Sequence, residues 1–215
     1  MFQQKHAFTG IVSDLLEIKG LHFFLLLCLL TFLLLFVKKT FIIYEITAFQ
    51  ILDERGQLGM FKVISALQYL SIPVIYLLKF TLIAFLVWVG CFGFGYRVTY
   101  KECWHLVMVS EIVFVIPELI KIFWFIFIET DPDYNTVKAF YPLSLMNFFE
   151  FNMVQDRWHY PLKALNVFEV IYWFLLFAGI FIKSNKVYRQ SVIIGIFGYV
   201  VPFLFWLAYY SVVYE

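Results

Sequence analysis

A run of 25 residues from Trp104 to Ile128, WHLVMVSEIVFVIPELIKIFWFIFI, constrains this chain most. It is long and apolar enough to cross a bilayer, yet it carries Glu111, Glu118 and Lys121. At 3.6 residues per turn, their spacing puts the three side chains close to one helical face. That face cannot meet lipid, because a charge at the centre of a membrane helix costs ~2.5 to 3.5 kcal/mol on insertion scales. The charges must be paired, protonated or hydrated. Pro117 stands directly before Glu118, where its ring removes one helical hydrogen bond and frees a carbonyl near Val113. A kink beside a buried carboxylate is therefore expected.

Four further apolar runs give the rest of the chain the same character. Of its 215 residues, 63% are hydrophobic and 22% aromatic, and only 14% are charged. That composition excludes a soluble domain, and the length of the runs excludes a barrel of short alternating strands. The expected fold is all-α: a single membrane domain over residues 1–215, a polytopic bundle of five transmembrane helices with interfacial helices. The spans are expected at about residues 21–37, 65–90, 104–128, 166–182 and 190–210, with extramembrane segments at 38–64 and 129–165.

The stretch IVSDLLEI near the N-terminus has a weak helical pattern that suits the membrane surface. No A-x-A-like cleavage site follows the first span, which ends at Lys38 and Lys39, so an uncleaved anchor is expected. Phe41 to Leu52, interrupted by Glu45, suits a connecting amphipathic helix, followed by a turn at Asp53-Glu54-Arg55-Gly56. The second span holds Pro73, which implies a kink, and Lys79 near its middle. The short connection CFGFGYRVTYKE makes spans two and three antiparallel neighbours, so a Lys79–Glu118 pair is the expected contact. Glu118 and Lys121, three residues apart, also suit a pair within one helix.

The segment after the third span contains a repeat. Tyr141 to Glu150 reads YPLSLMNFFE and Tyr160 to Glu169 reads YPLKALNVFE. Tyr141, Pro142, Asn147 and Glu150 thus recur in register as Tyr160, Pro161, Asn166 and Glu169. Each proline suits the first position of a helix, which predicts a short interfacial helix and then the fourth span. Glu169 falls in that span's first turn, where a carboxylate complements the helix dipole; it is a secondary candidate for a functional role. The fifth span has no charge but contains Gly195, Gly198 and Pro202, the marks of close helix packing and of a third kink.

Catalytic and ligand motifs are absent: there is no HExxH, CxxC pair, GxSxG, phosphate-cradling glycine loop or EF-hand pattern. His6, His22, His105 and His159 have no metal-ligand spacing, and Cys28, Cys91 and Cys103 read as free thiols. No enzyme activity, metal or cofactor is expected. A net charge of +1 without a dense basic cluster excludes nucleic acid as a partner. Lysine and arginine outside the spans divide evenly between the two sides, but the short positive loops around Arg97 and Lys186 lie on the N-terminal side. That places the N-terminus in the cytoplasm, with a bacterial inner membrane as the expected location and an ER or Golgi membrane as the alternative.

A first span set apart by a linker, then four spans with a tight second-to-third connection, resembles the Yip1 family of five-span membrane proteins. YRVTYKECWHLVMVSEIVFVIP is similar to that family's third span approaching its proline, and LNVFEVIYWFLLFAGI to its Phe/Trp-rich fourth span ending near glycine. The likeness covers roughly residues 20–213. It implies a non-enzymatic membrane protein that acts through partners. Three functions follow in order of expectation. The first is a scaffold or accessory subunit of a membrane complex, with other integral membrane proteins as partners. The alternative is a small transporter or proton/ion-pathway component using Lys79, Glu111, Glu118 and Lys121. The third is a lipid-binding or lipid-handling protein.

Overall fold

In lipid the backbone of an apolar run must satisfy itself, and a helix does so within one segment. The Leu/Phe-rich first run accordingly forms α1, Gly20–Lys38, which continues through a π-helical turn at Lys39–Ile43. The structure, a computed structural model, describes residues 10, 14, 16–47, 49, 51, 56, 58–184 and 187–214. Of the expected turn before the second span, Asp53, Glu54 and Arg55 lie outside the described residues, and Gly56 has φ +66°. The first-span helix is longer than expected, and so is α2, Leu58–Gly93, whose 36 residues extend about 54 Å against a hydrocarbon core of about 30 Å.

Beyond the tight turn at 94–99, Thr99 caps α3, Tyr100–Ser110, in a capping box with Glu102. A 3₁₀ turn at Glu111–Phe114 follows, then α4, Val115–Phe127. Asp133 opens the short α5, Tyr134–Ala139; hydrogen bonds from Thr136 hold its carboxyl below the usual value. Two 3₁₀ turns, Leu145–Phe148 and Phe151–Met153, lead to α6, Asp156–Ala164. The chain ends in α7, Val167–Ser184, then α8, Tyr188–Gly195, which runs through a π turn at Ile196–Val200 into α9, Val201–Val213. The fold is all-helical, with no strand among the described residues.

Among the described residues, four helical stretches are long and apolar enough to cross a membrane: Gly20–Ile43, Gly59–Gly93, Val167–Ser184 and Tyr188–Val213. The expected third span is different, because it is divided between α3 and α4 instead of forming one helix. Pro117 supplies the physical reason. Its ring would strike the Val113 carbonyl in regular α geometry, and Val113 lies in the 3₁₀ turn. Pro202 repeats the arrangement, with Gly198, four residues earlier, inside the π turn. At Pro73, by contrast, α2 continues as one helix.

The main core gathers α1, α2, α3, α7 and the last helix around Phe80, Val87, Leu106, Tyr172, Leu176 and Ile194. A smaller cluster packs the far end of α1 and the following turn against α4 and α5 through Leu34, Ile42, Ile122, Phe125 and Val137. Close approach depends on glycine. A Cβ on Gly198 would stand 3.2 Å from the Val87 Cα, and one on Gly179 only 1.9 Å from Leu106 Cδ1. Gly179→Val is therefore expected to cost about 1–3 kcal/mol through overpacking around a leucine that is 2% exposed. Thermal unfolding in detergent checks this, with Gly93→Val, where a Cβ meets nothing within 4 Å, as the near-neutral control.

Candidate functional site

The division of the third span redistributes its charges. Glu111, at the start of the 3₁₀ turn, is 4% exposed and accepts a hydrogen bond from Lys79 at 2.5 Å. Glu118, one turn past the break, pairs with Lys38 at 2.7 Å. The expected Lys79–Glu118 contact is thus replaced by two other pairs. Lys121 does not pair with Glu118 but donates to the backbone carbonyls of Val137 (2.5 Å) and Phe140 (2.8 Å). The reason lies in packing. The break lets α3 stay against α2 and α7, while α4 lies along α1, so Glu111 and Glu118 meet lysines from different helices. Lys38 had read as a loop cation; Lys39 beside it bonds the Gln68 side chain.

The two repeat copies also fold differently from expectation. Pro142 lies in a turn, and Pro161 lies inside α6 rather than at its start. The copies nevertheless meet. Ser144 and Asn166 form an antiparallel bridge, with Leu145 N donating to Leu165 O at 3.0 Å and Val167 N to Leu143 O at 3.2 Å. Asn147 donates its amide to Tyr141 O, while Asn166 caps α7 by accepting from Glu169 N at 2.8 Å. Glu150 is exposed, but Glu169 is 5% exposed. The same letters serve a surface loop in one copy and a helix start in the other.

Glu169 is the centre of a second polar group. Its Oε1 accepts from the Trp173 indole (2.9 Å) and from the Tyr199 hydroxyl (2.8 Å) on the last helix. Its Oε2 takes no hydrogen bond from the described residues and is not sealed inside the protein. Glu169 and Lys79 both line a cavity of about 610 Å³, and Tyr141, Tyr160 and Lys163 also belong to its lining. Its size falls within the usual range for small-ligand sites. Its shape follows from the packing below it. α2 and the last helix touch where Gly90 faces Gly198, and they diverge from there towards Lys79 and Leu82 on one side and Pro202 and Trp206 on the other. Trp206 ties its edge to α6 by donating to the Tyr160 hydroxyl at 3.3 Å.

No family model matches the chain, and no curated protein and no solved structure is similar to it. The site therefore rests on its own geometry. Lys79 is partnered by Glu111 and lies 4.9 Å from the centre of the Phe114 ring. Lys163 and Glu169 form no ion pair with a described residue; Lys163 donates only to the Lys138 carbonyl at 3.0 Å. Burial lowers the pKa of the Lys163 ammonium. No cluster of metal-ligating side chains occurs among the described residues.

Sequence reasoning missed Lys38, Lys163, Trp173 and Tyr199 as members of these groups. Trp173 alone carried a local signal, four residues after Glu169 on one helical face. The others come from elements 25 or more residues away or from a short helix read as surface.

Proposed function

We propose that this chain is a non-enzymatic, five-span integral membrane protein that holds the polar head of an amphipathic molecule between its second and fifth spans. The broken α3–α4 unit is the third span of this arrangement, and the N-terminus faces the cytoplasm of a bacterial inner membrane. The observation that carries the reading is the cavity between α2 and the last helix, which is lined by the charged Lys79, Lys163 and Glu169 together with the exposed apolar Leu82 and Trp206. In α2, Lys79 stands 14 residues before Gly93, about 21 Å along the helix. In a core of about 30 Å, that puts Lys79 in the half of the membrane nearer to segment 129–165.

Among the three functions expected from sequence, the geometry favours lipid binding over an ion pathway. Lys38–Glu118 and Lys79–Glu111 split the intramembrane charges between two places, and Lys121 is held by the Val137 and Phe140 carbonyls. The test is native mass spectrometry of protein released from lipid nanodiscs. Wild type should retain a phospholipid that Ala164→Trp, which fills the cavity from its lining, loses at least in large part. Equal retention by both proteins would contradict the reading.

A second reading, attachment to another integral membrane protein, is favoured by Phe148 and Met153, each 82% exposed on the irregular 143–153 segment. The resemblance to the Yip1 family supports it. Mild-detergent purification from native membrane, followed by identification of stoichiometric companions, tests this role separately.

A further inference from the structure

The two unpaired charges at the cavity select the kind of head that fits. The Lys163 ammonium donates to the Lys138 carbonyl and lies 5.7 Å from the centre of the Phe151 ring, with no carboxylate partner among the described residues. Six residues along the chain, Glu169 presents a carboxylate whose Oε1 is saturated by two donors while Oε2 is open. Asn166, between them, caps α7 and fixes the direction in which the chain leaves the bridge to Leu143 and Leu145. An anionic head would satisfy Lys163 but stand against Glu169. A cationic head would do the reverse. A head carrying both a phosphate and an ammonium meets both, with the tyrosine hydroxyls of Tyr141 and Tyr160 as further donors to phosphate oxygen.

We infer that the cavity binds a zwitterionic phospholipid head with a primary ammonium, its phosphate at Lys163 and its ammonium at Glu169 Oε2. The inference rests on the amphiphile-binding reading above and names its ligand class. A primary ammonium is required because Oε2 accepts a hydrogen bond, and a trimethylated nitrogen has no proton to donate. The acyl chains leave along Leu82 and Trp206, whose exposed surfaces belong to the apolar exterior of α2 and α9. They remain in the bilayer, so the cavity need enclose only the head and its nearest carbons.

The test uses the full chain in nanodiscs containing equal amounts of phosphatidylethanolamine, phosphatidylcholine and phosphatidylglycerol with identical acyl chains. Lipids retained on release are counted by native mass spectrometry. Wild type is expected to retain phosphatidylethanolamine over either competitor by about tenfold, the ratio carried by one charge-assisted hydrogen bond. Glu169→Gln keeps an acceptor for Tyr199 and Trp173, so it should fold, retain lipid and lose most of the preference over phosphatidylglycerol. Lys163→Gln should lower retention of all three while phosphatidylethanolamine stays first. Lipid retained by wild type without preference, or a preference unchanged in Glu169→Gln, would overturn the assignment of the head and leave the cavity reading standing. No lipid retained by wild type would overturn both.

Discussion

Replacing Lys79 with methionine is expected to destabilise the protein by about 3–5 kcal/mol, the cost of leaving the buried Glu111 carboxylate without its cation. The two members are not equivalent. The Glu111 side chain is 5% exposed and that of Lys79 is 37% exposed. Without Lys79, Glu111 is held in place by the 3₁₀ turn, and its Oε2 already lacks a hydrogen-bond partner among the described residues. Without Glu111, the Lys79 ammonium can turn into the adjoining cavity. Glu111→Leu should therefore cost clearly less than Lys79→Met. The double variant should recover much of the loss, since two apolar groups replace a pair that was expensive to desolvate. Unfolding of all four proteins in one detergent checks the order. Equal losses for the two single variants would show that burial does not set the cost.

The second large effect is expected at Glu169. Glu169→Leu removes the acceptor for Tyr199, whose buried hydroxyl would be stranded at a cost of about 1–3 kcal/mol; the half-buried Trp173 indole adds less. Because Glu169 joins α7 to the last helix, the loss should loosen that contact first. Hydrogen exchange is expected to rise in 196–206 before it rises in α3. Glu169→Gln keeps the acceptor and should lie within about 1 kcal/mol of wild type. If the glutamine variant unfolds as readily as the leucine variant, the carboxylate's charge and not its acceptor oxygen holds the helices together.

How much of this was legible in the sequence depends on the range of each interaction. Helical class and the rough positions of four spans follow from runs of apolar residues, a local property. So does the interruption near Val113, because a proline acts on the carbonyl four residues before it. The pairing of the charges was not legible. Glu118 matches Lys79 only by depth in an antiparallel hairpin, and depth does not say which way a side chain faces; the 3₁₀ turn leaves Glu111 against α2 and places Glu118 beside α1. The repeat gave a true signal with the wrong consequence. Its copies meet as bridge partners, and proline at Pro161 is tolerated inside a nine-residue helix whose end is held by Asn166 and the bridge. The cavity could not be read at all, since it arises where α2 and the last helix part above Gly90 and Gly198.

The most direct measurement of the central claim is photo-crosslinking of the full chain in bilayers with a phospholipid that carries a photoreactive group near its head, followed by peptide mapping. The account predicts labelling concentrated at Lys79 to Leu86 and Pro202 to Trp206, abolished by Ala164→Trp. Labelling spread evenly over the exposed apolar residues of α1, α2 and α9, and unchanged in that variant, would contradict it.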